Sequence, residues 1–239
     1  NVRAALSDIA KAGFKAFETF SFPPIESDTW PGYVARLTHA YRNHKQTYLE
    51  TDAYKSPRDL LQLMEEYNLK MASMYCSGLF IDSELVDHEQ EAIINAMFFI
   101  QEIGCRHLIL GGGMNLDGVY TARDYDRFYE TLHAIGKQCK DEGILACYHP
   151  HSGTMVETGD QLDSFCRETD ASLISLAPDI AHLVRGKVDP IETIYKYAER
   201  IAYIHLKDIK DNEFYELGLG EIDLPAVIQA LRDIDYTGW

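Results

Sequence analysis

Three short segments place ionisable side chains at the end of an apolar run: Tyr148-His149-Pro150-His151, Pro178-Asp179-Ile180-Ala181-His182 and His205-Leu206-Lys207-Asp208. The runs themselves, residues 144–148, 173–177 and 201–204, have the length and apolar content of strands buried on both faces. Ionisable groups at the C-terminal ends of successive buried strands have few structural reasons to be there and many chemical ones. Asp179 and His205 pair a hard carboxylate with an imidazole, a combination that suits Mn²⁺, Co²⁺, Zn²⁺ or Mg²⁺. The alternatives are a cap on the following loop for Asp179 and a hydrogen-bonded core histidine for His205.

His182, three residues after Asp179, is placed to contact a substrate hydroxyl or to orient a metal ligand. His149 and His151 point the same way in an extended segment, so one of them is a third metal ligand or a general acid/base; otherwise both are loop histidines bonded to backbone. Lys207 shares the face of His205, where a cation would stabilise an enolate oxygen, and Asp208 holds either Lys207 or the next loop. Glu18, in Phe17-Glu18-Thr19-Phe20, closes an earlier strand. Facing the same mouth it is a base or a substrate ligand, and facing elsewhere a buried salt bridge. His88, His107 and His133 have no assigned role. A metal gripping a carbonyl and a neighbouring hydroxyl, beside a base for the adjacent C–H, makes an enediolate. Reprotonation then gives isomerisation or epimerisation, and loss of a β-hydroxyl gives dehydration.

The elements that must position these groups alternate with a regular beat. Val2, Ala5, Leu6 and Ile9 share one helical face that ends near Gly13, and strands follow at 15–20, 70–75 and 107–111. Helices are expected over 57–67 behind Ser56-Pro57, over 83–103, and over 121–141 with Asp124 three residues after its cap. Further helices start at Thr158 with Gln161, at Asp189-Pro190 and at Asp223-Leu224-Pro225. Seven helices with six strands between them are two strands short of the eight that close a (β/α)8 TIM barrel, so the chain reads as a barrel lacking its first and eighth strands. A doubly wound open sheet is disfavoured because no Gly-x-Gly-x-x-Gly turn follows the early strands. The chain reads as one domain, 1–239, with an insertion at about 24–56 carrying Trp30, His39, Tyr41, His44 and Tyr54. That insertion is a lid, a subunit contact of a homo-oligomer or a neutral decoration, since βα loops usually run to ~2–6 residues.

The 22 Lys and Arg against 38 Asp and Glu leave a net charge of −16, which repels phosphate backbones and argues against nucleic acid as partner. The stretch 92–100 falls short of the ~20 apolar residues of a membrane helix, and no secretory signal is visible at the start. Cys76, Cys105, Cys139, Cys147 and Cys166 form no Cys-x-x-Cys pair and read as reduced core thiols of a cytoplasmic protein, with a chemical role for Cys147 as the minor alternative.

Five segments together resemble the xylose-isomerase-like sugar isomerase/epimerase barrels, nearest the inosose dehydratase branch. They are Gly13-Phe14-Lys15-Ala16-Phe17-Glu18, Tyr148 to Thr154, Asp179-Ile180-Ala181-His182-Leu183, Ala202 to Asp208 and Gly218-Leu219-Gly220-Glu221-Ile222-Asp223. In that family a divalent metal is held by a carboxylate on strand five, an Asp on strand six, a His on strand seven and a Glu on strand eight. The resemblance implies that Asp179 and His205 fill the middle two places and that His182 touches substrate. The strand-five glutamate is absent, with Tyr148 or His149 near its place, and the strand-eight glutamate would fall a few residues past Trp239. The expectation is a metal-dependent isomerase or epimerase acting on a ketose, keto-sugar or cyclitol. The alternatives are a dehydratase of the inosose type and a sugar-binding barrel with an incomplete site. The three-zinc endonucleases of the same superfamily need a basic groove, which −16 opposes.

Overall fold

Apolar runs and capped helices build a parallel sheet wrapped by helices, seen in a computed structural model that describes residues 1–21, 35, 38, 51, 53–115 and 117–239. Most of the insertion expected at about 24–56 therefore lies outside the described residues, including Trp30, His39, Tyr41 and His44. Helix α1 (Val2–Lys11) is capped by the Asn1 side chain, and Gly13 takes φ 88° just beyond its end. Strands β1 (Ala16–Phe20), β2 (Lys70–Gly78), β3 (His107–Gly112), β4 (Leu145–His149) and β5 (Ile174–Leu176) pair in chain order, every pair parallel. An unbroken order of parallel neighbours is the wall of a (β/α) barrel. A doubly wound sheet would reverse its order part-way.

The helices that return the chain are α2 (Pro57–Tyr67), α3 (Val86–Glu102), α4 (Ala122–Asp141) and α5 (Gly159–Glu168). After β5 come α6 (Ile180–Arg185), α7 (Pro190–Lys196) and, near the end, α8 (Leu224–Asp233). Ser56, Thr121, Thr158, Asp189 and Asp223 each cap their helix through a side-chain oxygen, as the sequence predicts. Helix α3 begins at Val86, later than the expected 83, because Asp82 draws the backbone of Glu84 to its side chain and those of Leu85 and Val86 to its carbonyl, forming a turn first.

The sixth expected strand is present but irregular. Residues 201–205 run parallel to β5, with bridges only at Leu176–Ile201 and Asp179–His205. From Leu176 to Asp179 is three steps and from Ile201 to His205 four, so one extra residue breaks the ladder. Two features escape the sequence pattern, helix α6 and an antiparallel hairpin of β6 (Asp208–Lys210) and β7 (Glu213–Tyr215). The hairpin turns on Asp211 and Asn212, both at positive φ (51° and 65°), the geometry that matches strand twist in a two-residue turn.

Each strand alternates between two cores. Leu108, Leu110, Ala146, Tyr148, Ile174 and Leu176 face the helices in the main core. Ala72, Ile109, Cys147, Ala177 and Tyr203, from successive passes, form a second cluster on the inner face. Cys147 is thus interior packing. Burial raises its thiol pKa and pushes those of Cys76 and Cys139 up to about 12 and of Cys105 and Cys166 up to about 11; all five are free. Among the described residues no helix is long and apolar enough to cross a membrane.

Candidate active site

Strand alternation decides which polar side chains meet. His149 follows Cys147 on the inner face of β4, Asp179 follows Ala177, and His205 follows Tyr203, so the three stand one layer above the inner cluster. One ligand atom from each lies within 4.8 Å of the others. Tyr148, one residue earlier, points the other way: its hydroxyl donates to the Gly112 carbonyl at 2.8 Å and its ring stacks on Phe165 at 4.5 Å. Of the two residues near the expected strand-five position, His149 is the one at the site.

Asp179 divides its two oxygens. Oδ1 accepts from the backbone N–H of Ala181 (2.9 Å) and His182 (3.1 Å), capping α6, while Oδ2 lies 3.9 Å from Lys207 Nζ. The cap and the site are therefore compatible readings of one residue. Burial raises the Asp179 pKa, opposed by Lys207 and the two N–H donors.

His205 is held from both sides. Its Nε2 is 3.0 Å from Glu18 Oε1, and its Nδ1 is 3.0 Å from His149 Nδ1, which also lies 3.2 Å from the Ala177 carbonyl. Glu18 reaches it because the β1–β2 register shifts between Phe17 and Glu18, setting Glu18 opposite Ser73. The Ser73 hydroxyl donates to the second Glu18 oxygen and sits 2.9 Å from the Tyr203 hydroxyl. Burial works against a charge on His205, but the Glu18 hydrogen bond and the charges of Glu18 and Asp179 outweigh it, and its pKa is raised. His149 goes well below the ordinary value, first through burial and then through its histidine neighbours. Two imidazole nitrogens facing across 3.0 Å beside a carboxylate can share a proton or hold a cation, and this N, N, O set fits a divalent ion such as Zn²⁺ or Mn²⁺.

His151 and His182 lie next to this group, His182 on α6, and with His149 they form a second set within 4.8 Å. Their ring centres lie 3.6 Å apart with the planes tilted by 32°. His182 Nδ1 is 2.9 Å from Ser152 Oγ, and Nε2 is 3.5 Å from Lys207 Nζ. Burial lowers both pKa values, that of His151 to about 4, so both rings are neutral at pH 7. Tyr75 forms part of the wall, edge-on to His149 at 5.3 Å. It lies across Gly111, where any Cβ would meet its hydroxyl at 1.7 Å.

The structure thus brings His149, His151, Asp179, His182, His205, Lys207 and Glu18 to one mouth. Asp208 faces away and organises the following loop. Among the described residues, others at or under the site were not singled out from sequence, including Ser73, Tyr75, Tyr203, Arg185 and Phe214. Inward alternation pointed to Tyr203 and i,i+3 spacing from His182 to Arg185; Phe214 had no such signal.

Comparison with known proteins names the architecture. The sequence model of the xylose isomerase-like TIM barrel matches residues 6–239. The chain belongs to the xylose isomerase-like TIM barrel family. An inosose dehydratase of Geobacillus kaustophilus is 28% identical over 218 residues, spanning 77% of this chain and 70% of that protein. A D-tagatose 3-epimerase-like protein superposes with TM-score 0.75 at 19% identity, over 97% of this chain and 82% of its own. The probable 3-DHS dehydratase of Bacillus anthracis superposes with TM-score 0.72 at 13% identity, over 99% of this chain and 85% of its own. As a member of the xylose isomerase-like family, the chain is an enzyme of the isomerase, epimerase and dehydratase class.

Proposed function

We propose that this chain is a divalent-metal-dependent dehydratase of a keto-cyclitol or keto-sugar, removing the proton next to a carbonyl and the hydroxyl one carbon further on. The supporting observation is the convergence of His149, Asp179 and His205 beside a pair of neutral histidines and a lysine. Asp179, His205 and His149 would hold the metal, which when bound supplies Lewis-acid polarisation of the substrate carbonyl. His151, with its pKa near 4, is unprotonated at neutral pH and available as the base, and Lys207 is a proton donor beside His182. The substrate loses a proton to the base and a hydroxyl that takes a proton as it leaves, together one water. His182 is the group placed to hold a substrate hydroxyl. The imidazole of His149 where the two-base epimerases of the family carry glutamate favours dehydration, and the curated relatives bear the name inosose dehydratase.

Isomerisation or epimerisation is the second reading, because a close pair of neutral histidines can give back the proton it took. We read the chain as a single barrel domain, and its five free thiols fit a cytoplasmic enzyme. The reactions separate when the Mn²⁺-loaded protein is incubated with inososes and ketoses in deuterated water and the products are read by mass spectrometry and NMR. Loss of water from an inosose is the expected result. Deuterium next to the carbonyl with the skeleton intact would replace it with isomerase or epimerase chemistry, and the absence of both reactions would sink the enzymatic reading.

A further inference from the structure

A cationic corner at the mouth is only half used by that chemistry, which takes Lys207 as a proton donor and gives Arg185 no role. On a chain of net charge −16, Arg185 and Lys207 are held against one aromatic ring: Arg185 Cζ lies 3.9 Å and Lys207 Nζ 3.4 Å from the centre of Phe214. Phe214 in turn packs edge-on against His182 at 4.9 Å, so this corner borders the candidate site. Arg185 occupies the last turn of α6, its side chain only 22% exposed. Its Nε and Nη2 both donate to the Asn212 carbonyl, at 3.1 and 2.5 Å, which fixes the plane of the guanidinium from the hairpin turn.

Among the described residues each charge meets one carboxylate, and only near the outer limit of an ion pair. Arg185 is 3.8 Å from Glu213, whose side chain is 83% exposed and is screened by water, and Lys207 is 3.9 Å from Asp179 Oδ2. Two like charges against one ring repel each other, and partial burial strengthens that repulsion. The stacking on Phe214 offsets part of it, and an anion placed between them would reverse it.

Resting on the reading of this mouth as an active site, we infer that the substrate carries an anionic group, a carboxylate or a phosphate, bound by Arg185 and Lys207 over Phe214. A planar guanidinium fixed on one edge suits either oxyanion, and the ammonium adds a second point of attachment. An uncharged inosose can meet the catalytic groups but brings no charge to offset the repulsion between these two cations.

Titration calorimetry with three cyclitols tests this: quinate for the carboxylate, myo-inositol 1-phosphate for the phosphate, and uncharged myo-inositol. At least one anionic probe should bind about tenfold or more tighter than myo-inositol, the range expected of one hydrogen bond to a charged group. The better of the two identifies the source of the charge. Arg185→Gln should erase the preference and Arg185→Lys should retain part of it; if neither variant folds, the ranking by the unaltered chain decides alone. Equal binding of all three probes, or of none, overturns the inference, as does a preference unchanged in Arg185→Gln. Metal content in Asp179→Ala and His205→Ala bears on the active-site reading separately, so failure of one is distinguishable from failure of the other.

Discussion

The Glu18 carboxylate sits 3.0 Å from His205 Nε2, and that contact determines which ring nitrogen of His205 is left for His149. With Nε2–H donated to Glu18, the Nδ1 lone pair faces His149 and Asp179, which is the arrangement a metal-ligating histidine needs. Asp179→Ala and His205→Ala should therefore strip divalent metal, read by elemental analysis after dialysis; full metal content in both would remove the site. Glu18→Gln keeps the shape and loses the charge, so metal affinity should fall about 10–100-fold in a chelator competition, the usual cost of losing such a partner. Wild-type affinity in Glu18→Gln would mean that Glu18 acts elsewhere. The polar strand ends could be seen in the sequence because His149, Asp179 and His205 each close an apolar run. Ser73 could not: its contact with Glu18 comes from a register shift between two strands 55 residues apart, which no local pattern encodes.

Among the elements, the loop after the sixth pass depends on Asp208, which is fully buried. Oδ1 accepts from the N–H groups of Ile209 (2.9 Å) and Ile222 (3.2 Å), and Oδ2 from those of Gly218 (2.9 Å) and Gly220 (3.0 Å). Gly220 is required by closeness, since a Cβ there would lie 2.1 Å from Asp208 Oδ1. Burial alone would raise the Asp208 pKa, but the four N–H donors outweigh it and lower it. A lowered folded pKa contributes stability that is present above the unfolded value and is lost as pH falls through the folded one. Asp208→Asn puts an NH₂ against backbone donors, so unfolding in urea should come about 1–3 kcal/mol easier, with faster hydrogen exchange at Gly218 and Gly220. Unchanged exchange at both glycines would show that the loop holds itself. The helices were readable because Ser56, Thr121, Thr158, Asp189 and Asp223 announce their starts chemically. The β6–β7 hairpin was not, because its turn uses Asp211-Asn212 without glycine and its strands are three residues each, too short for alternation to register.

Across the whole molecule, the acidic surface and the buried carboxylates respond to pH in different ways. The excess of Asp and Glu behind the net charge of −16 keeps mutual repulsion in the folded state at neutral pH. Glu89, on α3, has the opposite fate to Asp208 although both are buried. It accepts from only two backbone donors, Leu79 N (2.7 Å) and Phe80 N (2.8 Å), and there burial dominates, pushing its pKa up to about 7. Two things differ: Glu89 lies deeper in the protein, where desolvation is larger, and it has two N–H donors to oppose it where Asp208 has four. Because the folded pKa lies above the ordinary 4.5, the folded protein holds this proton over a range where the unfolded chain has released it. Its contribution is full below pH 4.5, declines as pH rises toward about 7, and is constant beyond. Glu89→Gln removes that titration. Comparing wild type with Glu89→Gln in urea at pH 4.5 and pH 8, the wild-type advantage should shrink by on the order of 3 kcal/mol. Parallel pH profiles for the two proteins would mean that Leu79 and Phe80 keep Glu89 ionised throughout, and that the link between β2 and α3 is a charged one.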